Sequence, residues 1–140
     1  MKKYKIGYVA GIFDIFHVGH LEILKKAKSQ CEYLIVAVGT DEFLRWRKNR
    51  EAVMPYEDRV KIIQSIIYVD EVVPEEDLDK IKAYQELRFD AMFAGDDHIK
   101  EDIYINAEKE LKKYGVDVIY IPREYNVSST IIREKIHNMI

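Results

Sequence analysis

The chain has 140 residues, of which 48% are hydrophobic and 34% charged, with a formal net charge of −3. These values fit one folded soluble domain and exclude a disordered tail or a surface basic enough to bind nucleic acid or an anionic membrane wholesale. A lone cysteine, Cys31, leaves no partner for an intrachain disulfide, four scattered histidines make no zinc framework, and a reducing, cytoplasmic setting is expected.

The first apolar run, residues 6–10, reads as a strand. It lies in MKKYKIGYVAGIFD, whose apolar stretch is broken at Asp14 with no small-residue cleavage site after it, so a signal peptide is not expected. Directly after the strand comes GIFDIFHVGH, residues 11–20. A helix is predicted over 21–29, where Leu21, Leu24, Lys25 and Lys28 recur at helical spacing. Residues 33–38 contain LIVAV, apolar without alternation, as a strand covered on both faces would be. RWRKNR, residues 45–50, falls in the expected long loop after that strand. Pro55 marks the start of a helix over 56–66.

A strand is predicted at 71–73, a helix at 78–87 and a strand at 91–94 running into AGDDH. A helix at 106–114 ends at Gly115, with Lys112 and Lys113 in its last turn. A strand at 116–121 and a helix at 129–139 complete the chain. Short strands alternating with helices predict a single α/β domain over residues 1–140, with a Rossmann-like, doubly wound, parallel five-stranded sheet and helices on both faces. Ligands of such sheets bind at the carboxyl ends of the strands. No run approaches the ~20 apolar residues of a membrane span.

Four motifs fall at those strand ends. In the first, Gly11 permits a turn and close backbone approach, and Gly19 leaves room at a helix start. His17 and His20 bracket Gly19 and can donate N–H bonds to phosphate beside a positive helix end. Two histidines at this spacing can also face a metal ion, with Asp14 the one further ligand nearby. In the second, VSSTIIR, Ser128, Ser129 and Thr130 offer hydroxyls and N–H groups at another helix start, with Arg123 upstream and Arg133 one turn inward. An ordinary N-cap is the plain alternative. In the third, Asp96 and Asp97 can accept bonds from ribose or base, hold Mg²⁺, or form a solvated turn. The fourth, RWRKNR, concentrates four cations in an acidic protein and is suited to a polyanion, or to a solvated face. Trp46 can stack on a base or anchor the loop.

GIFDIFHVGH resembles the G-x-F-D-x-x-H-x-G-H motif of the cytidylyltransferases within the HIGH-type nucleotidyltransferase superfamily. The resemblance continues through YLIVAVGTDEF, YVDEVVPE, GDD and the closing R-x-x-x-[IV]-S-[ST]-T stretch, and covers nearly the whole chain. It implies transfer of CMP from CTP to a phosphorylated alcohol, glycerol 3-phosphate foremost, with release of pyrophosphate, Mg²⁺ as cofactor and a homodimer. It places Gly11, Ile12, Phe13, Asp14 and His17 to His20 around the CTP phosphates and Asp96 beside the nucleoside. Lys48 and Arg50 would grip acceptor and nucleotide phosphates, and Arg123 through Thr130 would form a second phosphate loop. His17, His20, Lys48 and Arg123 are the implied catalytic set. An arginine common before YVDEV is Ile67 here, and a tryptophan common after GDD is His98. A glycine and a threonine are missing from the last motif, where Glu124 stands. A lysine on the acceptor side aligns with Ile81, flanked by Lys80 and Lys82. Lys48, Lys80, Lys82 and His98 are therefore the acceptor-side candidates.

In the chemistry so implied, an acceptor phosphate oxygen attacks the α-phosphorus in line with departing pyrophosphate. A phosphate monoester is already largely ionised near neutrality, its second pKa being about 6. No strong general base is needed, and the protein's work is positioning and charge stabilisation. Two other readings stay open at this point: an adenylyltransferase using ATP, FAD synthetase-like or acting on a sugar phosphate, and a nucleotide-binding regulatory module without catalysis.

Overall fold

The computed structural model describes residues 2–123 and 127–140. Its elements run β1 (Tyr4–Gly11), α1 (Val18–Gln30), β2 (Cys31–Gly39), α2 (Asp41–Lys48), α3 (Tyr56–Gln64), β3 (Glu71–Glu75), α4 (Lys80–Leu87), β4 (Ala91–Gly95), a 3-10 turn (Asp96–His98), α5 (Asp102–Lys112), β5 (Asp117–Ile121) and α6 (Ser129–Met139). All strand pairs are parallel, in the order β3-β2-β1-β4-β5. The chain moves outward from β1 to β3, then returns to the other side of β1 for β4 and β5. Connections therefore diverge between β1 and β4, which opens a crevice at the carboxyl ends of those strands.

Both faces of the sheet are covered, as the unalternating β2 sequence requires. On one face Leu24 and Ala27 of α1 and Ile63 of α3 pack on Val9, Val36, Val38 and Phe93. On the other, Tyr104, Ala107 and Leu111 of α5 pack on Tyr8, Ile35, Ala37 and Met92, with Ile81 and Tyr84 of α4 alongside. Leu24, Leu34, Ile63 and Leu111 are fully buried, each contributing about 1.5–3 kcal/mol of apolar burial. Gly115 ends α5 at φ 78°, and Val116 N–H reaches back to the Leu111 carbonyl at 3.1 Å. No helix among the described residues is long and apolar enough to cross a membrane.

The boundaries differ from expectation where side chains cap the backbone. RWRKNR is no loop, because residues 45–48 form the second half of α2. Thr40 Oγ1 accepts the Phe43 N–H at 3.0 Å, Asp41 and Glu42 sit in the first turn, and Asn49 closes the helix in the left-handed region. The helix start at Lys80, two residues late, follows from Asp79, whose carboxylate accepts the Lys82 N–H at 2.9 Å. α1 starts three residues early at Val18, because His17 caps it. β3 runs on through Pro74 to Glu75, and proline is tolerated there because β3 is an edge strand.

Candidate active site

The GIFDIFHVGH turn is built from backbone that its own residues disfavour. Phe13 and Ile15 both adopt left-handed φ, 57° and 49°, at a cost of about 1–3 kcal/mol each. Neighbours over-determine the turn. Arg59 Nη1 donates to the Ile12 carbonyl at 2.9 Å, and the Ser129 hydroxyl donates to the Asp14 carbonyl. The Asp14 carboxylate, 2% exposed, accepts the N–H groups of Val53 at 2.9 Å and Met54 at 3.0 Å. It also lies 3.6 Å from Arg133 and 3.9 Å from Arg50. Asp14 thus ties three segments together through groups already spent on the protein.

His17 and His20 form a reciprocal cap at the start of α1. His17 Nδ1 accepts the Gly19 N–H at 3.1 Å, and His20 Nδ1 accepts the His17 N–H at 3.3 Å. With both Nδ1 atoms acting as acceptors, each neutral ring carries its proton on Nε2. The rings stack with centroids 3.8 Å apart. Burial, and then the Arg123 charge, lowers His17 below the usual imidazole range. Burial, followed by His17, takes His20 down to about 3. Both are neutral N–H donors at pH 7. His17 Nε2 is buried without a hydrogen-bond partner among the described residues, a deficit worth about 1–3 kcal/mol that an incoming acceptor atom would remove. Gly19 serves this cap, since a Cβ there would lie 2.9 Å from His17 Cε1.

A cavity of about 400 Å³ opens over the carboxyl ends of β1 and β4. Its wall includes Gly11, Ile12, Phe13, Asp14 and His20 from the first motif, and Ser128, Ser129, Thr130 and Arg123 from the last. His17, Gly19 and Val127 line a smaller recess of about 100 Å³ that shares His20, Arg123, Ser128 and Ser129 with it. At the start of α6 the hydroxyls are engaged: Ser128 caps Ile131 N–H at 3.1 Å, Ser129 holds Asp14, and Thr130 accepts from Arg133 at 3.1 Å. What α6 offers a ligand is the rest of its first-turn N–H groups and Arg133, whose Nη1 is buried without a hydrogen-bond partner among the described residues.

Helix formation sorts the RWRKNR cations. Arg47, Lys48 and Arg50 line the cavity, whereas Arg45 turns away to Glu51 at 3.0 Å and Trp46 is 69% exposed, near Phe43. Burial, and then the charges of Arg50 and Arg47, lowers Lys48 below the usual ammonium range.

A family model described as cytidylyltransferase-like matches residues 8–135. The chain belongs to that family. The cytidylyltransferase-like chain is 36% identical over 129 residues to the glycerol-3-phosphate cytidylyltransferase of Bacillus subtilis, covering 90% of this chain and 92% of that one. It is 38% identical over 123 residues to the FAD synthase of Thermococcus kodakarensis, covering 84% and 79%. In fold it is similar to a lipopolysaccharide core biosynthesis protein from Thermoplasma volcanium, with a TM-score of 0.75, 22% identity, and coverage of 87% of this chain and 99% of that one. Membership makes this chain a nucleotidyltransferase.

Several predicted site residues of the nucleotidyltransferase stand elsewhere. Asp96 is absent from the cavity wall, which Gly95, Asp97 and His98 form instead, and Asp97 lies 3.6 Å from Arg123. Lys82 is exposed and paired with Asp77 at 3.2 Å, outside the cavity. Lys80 is 4% exposed behind the wall, 3.0 Å from Glu75. His98 lines the cavity, with Nδ1 2.8 Å from Glu101. Glu124, and with it part of the expected second phosphate loop, lies at 124–126, outside the described residues.

Sequence reading missed Arg59, which is fully buried in α3. Its guanidinium donates to the carbonyls of Met54 at 2.9 Å, Ile12 at 2.9 Å and Gly39 at 2.6 Å, and to Asp41 at 2.6 Å. The available signal was positional: Tyr56, Arg59, Val60 and Ile63 share one helical face, and an arginine in an apolar stripe needs buried partners.

Proposed function

We propose that this nucleotidyltransferase moves CMP from CTP to the phosphate of a small phosphorylated alcohol, glycerol 3-phosphate foremost, and releases pyrophosphate. The observation that carries the proposal is the pair of Nε2–H donors on His17 and His20, fixed in that tautomer by their Nδ1 caps, on residues that line one recess with Arg123 and with Ser128 and Ser129 at the start of α6. Fixed neutral donors favour charge developing on an α-phosphate without a proton transfer of their own. Arg47, Lys48 and Arg50, on the β2 side, gather the acceptor phosphate and the nucleotide. The acceptor's own ionised oxygen attacks the α-phosphorus, the bond to the bridging oxygen breaks, and pyrophosphate takes the electron pair.

Among the described residues no group of three His, Cys, Asp or Glu side chains is spaced to hold a metal ion, and Asp14 is occupied by backbone amides. In this reading Mg²⁺ enters with the triphosphate, held by substrate oxygens and water as is usual for that ion. The reading includes a homodimer, to be checked by light scattering on the eluted protein.

Pyrophosphate release, measured with CTP and ATP separately against glycerol 3-phosphate, tests the proposal. Release with CTP and glycerol 3-phosphate is expected, and its absence at saturating concentrations overturns the reading. The likeness to archaeal FAD synthases favours one rival, in which ATP and FMN are the productive pair. The same assay includes that pair.

A further inference from the structure

The β3 edge of the cavity carries an ion pair that phosphate binding does not use. Extension of β3 to Glu75, in register with Gly39 of β2, brings the Glu75 carboxylate to the cavity wall although the residue is only 7% exposed. Lys80 Nζ stands 3.0 Å from Glu75 Oε2, and both side chains are nearly buried. Such a pair is a poor device for stability alone, since an apolar replacement of similar volume is often neutral or stabilising. Glu75 Oε1 has no hydrogen-bond partner among the described residues.

The neighbours extend this wall. Lys80 Nζ lies 5.6 Å from the centroid of the Tyr104 ring, and Tyr104 stacks on His98 at 4.5 Å. His98 contacts Glu101, which lies 3.8 Å from Arg47. Burial, and then the Glu75 charge, holds the Tyr104 phenol above its ordinary value, so it remains an O–H group.

An unpaired carboxylate here would repel the phosphates that Arg47, Lys48 and Arg50 gather. Paired with Lys80 it has no net charge to present, yet keeps an acceptor oxygen. That combination suits an uncharged hydroxyl and gives no advantage to an ammonium group. Given the CMP transfer proposed above, we propose that the Glu75–Lys80 pair selects the acceptor: a phosphorylated alcohol with a further hydroxyl that donates to Glu75 Oε1, in preference to a phosphorylated amino-alcohol. Glu75 is the contact, and Lys80 is a positioning residue that acts through it.

Pyrophosphate release from CTP tests this with three acceptors: glycerol 3-phosphate, 1-propyl phosphate, which lacks its hydroxyls, and aminoethyl phosphate. In the wild-type protein kcat/KM for glycerol 3-phosphate is expected to exceed that for 1-propyl phosphate by about 10–100-fold, the worth of a hydrogen bond to a charged group. In the E75L/K80M double variant, apolar and similar in volume, that ratio is expected to fall to within about threefold of unity. In K80M, where Glu75 keeps its charge alone, the ratio is expected to shift toward aminoethyl phosphate by about tenfold. If K80M does not fold, the double variant decides. Equal use of glycerol 3-phosphate and 1-propyl phosphate by the wild type, or an unchanged ratio in the double variant, overturns the selection while leaving CMP transfer standing. Wild-type protein that releases no pyrophosphate with any of the three overturns the transfer itself.

Discussion

His20 Nδ1 accepts the backbone N–H of His17 at 3.3 Å, while His17 Nδ1 caps Gly19. This reciprocity makes one pair of residues serve both helix and site. The capping requirement settles the tautomer, and the tautomer leaves both Nε2–H groups as donors.

Replacing His17 or His20 by Ala is therefore expected to lower kcat by about 10²–10³, the usual cost of one preorganised donor. Loss of the His17 cap should also cost about 1 kcal/mol of stability. Steady-state pyrophosphate release and urea denaturation read the two effects separately. Turnover within threefold of wild type in both variants would contradict the assigned role.

The depressed imidazoles also set an acid limit to stability. An unfolded histidine titrates near 6.5, whereas folded His20 stays neutral down to about 3 and folded His17 is shifted in the same direction. Below pH 6.5 the unfolded chain binds protons that the folded one refuses, so stability falls as pH falls. The full contribution is present above about pH 6.5, and His20 alone gives a slope approaching 1.4 kcal/mol per pH unit between there and about pH 3. Denaturation series from pH 7 to pH 4 should show a shallower loss in His20→Gln. Equal slopes in the two proteins would exclude His20 as the source.

Arg59→Met is expected to destabilise the fold by about 3–5 kcal/mol, because three carbonyls lose their buried donor and Asp41 loses its partner. Arg59→Lys should recover only part of this, since one ammonium cannot reach acceptors set around a planar fork. The midpoint of urea unfolding measures both. A midpoint unchanged in Arg59→Met would refute the role of Arg59 as the tie between the turn, β2 and α2.

Lys48→Ala should mainly raise KM, because a cation at the cavity rim holds ground state and transition state alike. Arg45→Ala, whose side chain faces Glu51, should leave both constants within twofold. A fall in kcat at constant KM for Lys48→Ala would place it in the transition state instead.

The succession of five strands and the two-faced sheet were legible because periodicity is local. LIVAV lacks alternation, as a strand covered on both faces does, and H-x-G-H follows a strand where a helix starts. RWRKNR was misread because its helix depends on the Thr40 cap and the Asn49 exit, which composition hides. The sequence shows a carboxylate at Asp14 but not the Val53 and Met54 amides that donate to it.

From sequence alone came the fold class, the family resemblance and the two histidines, since each rests on local spacing and on the order of motifs along the chain. Only the tertiary structure decided how those groups are used. It buried Arg59 and Glu75, exchanged Asp96 for Asp97 at the wall, set Lys82 outside it, and fixed both histidine protons on Nε2. Arg59 is buried by contacts with Ile12, Gly39 and Asp41, far from it along the chain, and burial, which sets the charge state and free valence of a side chain, is a property of the packed chain.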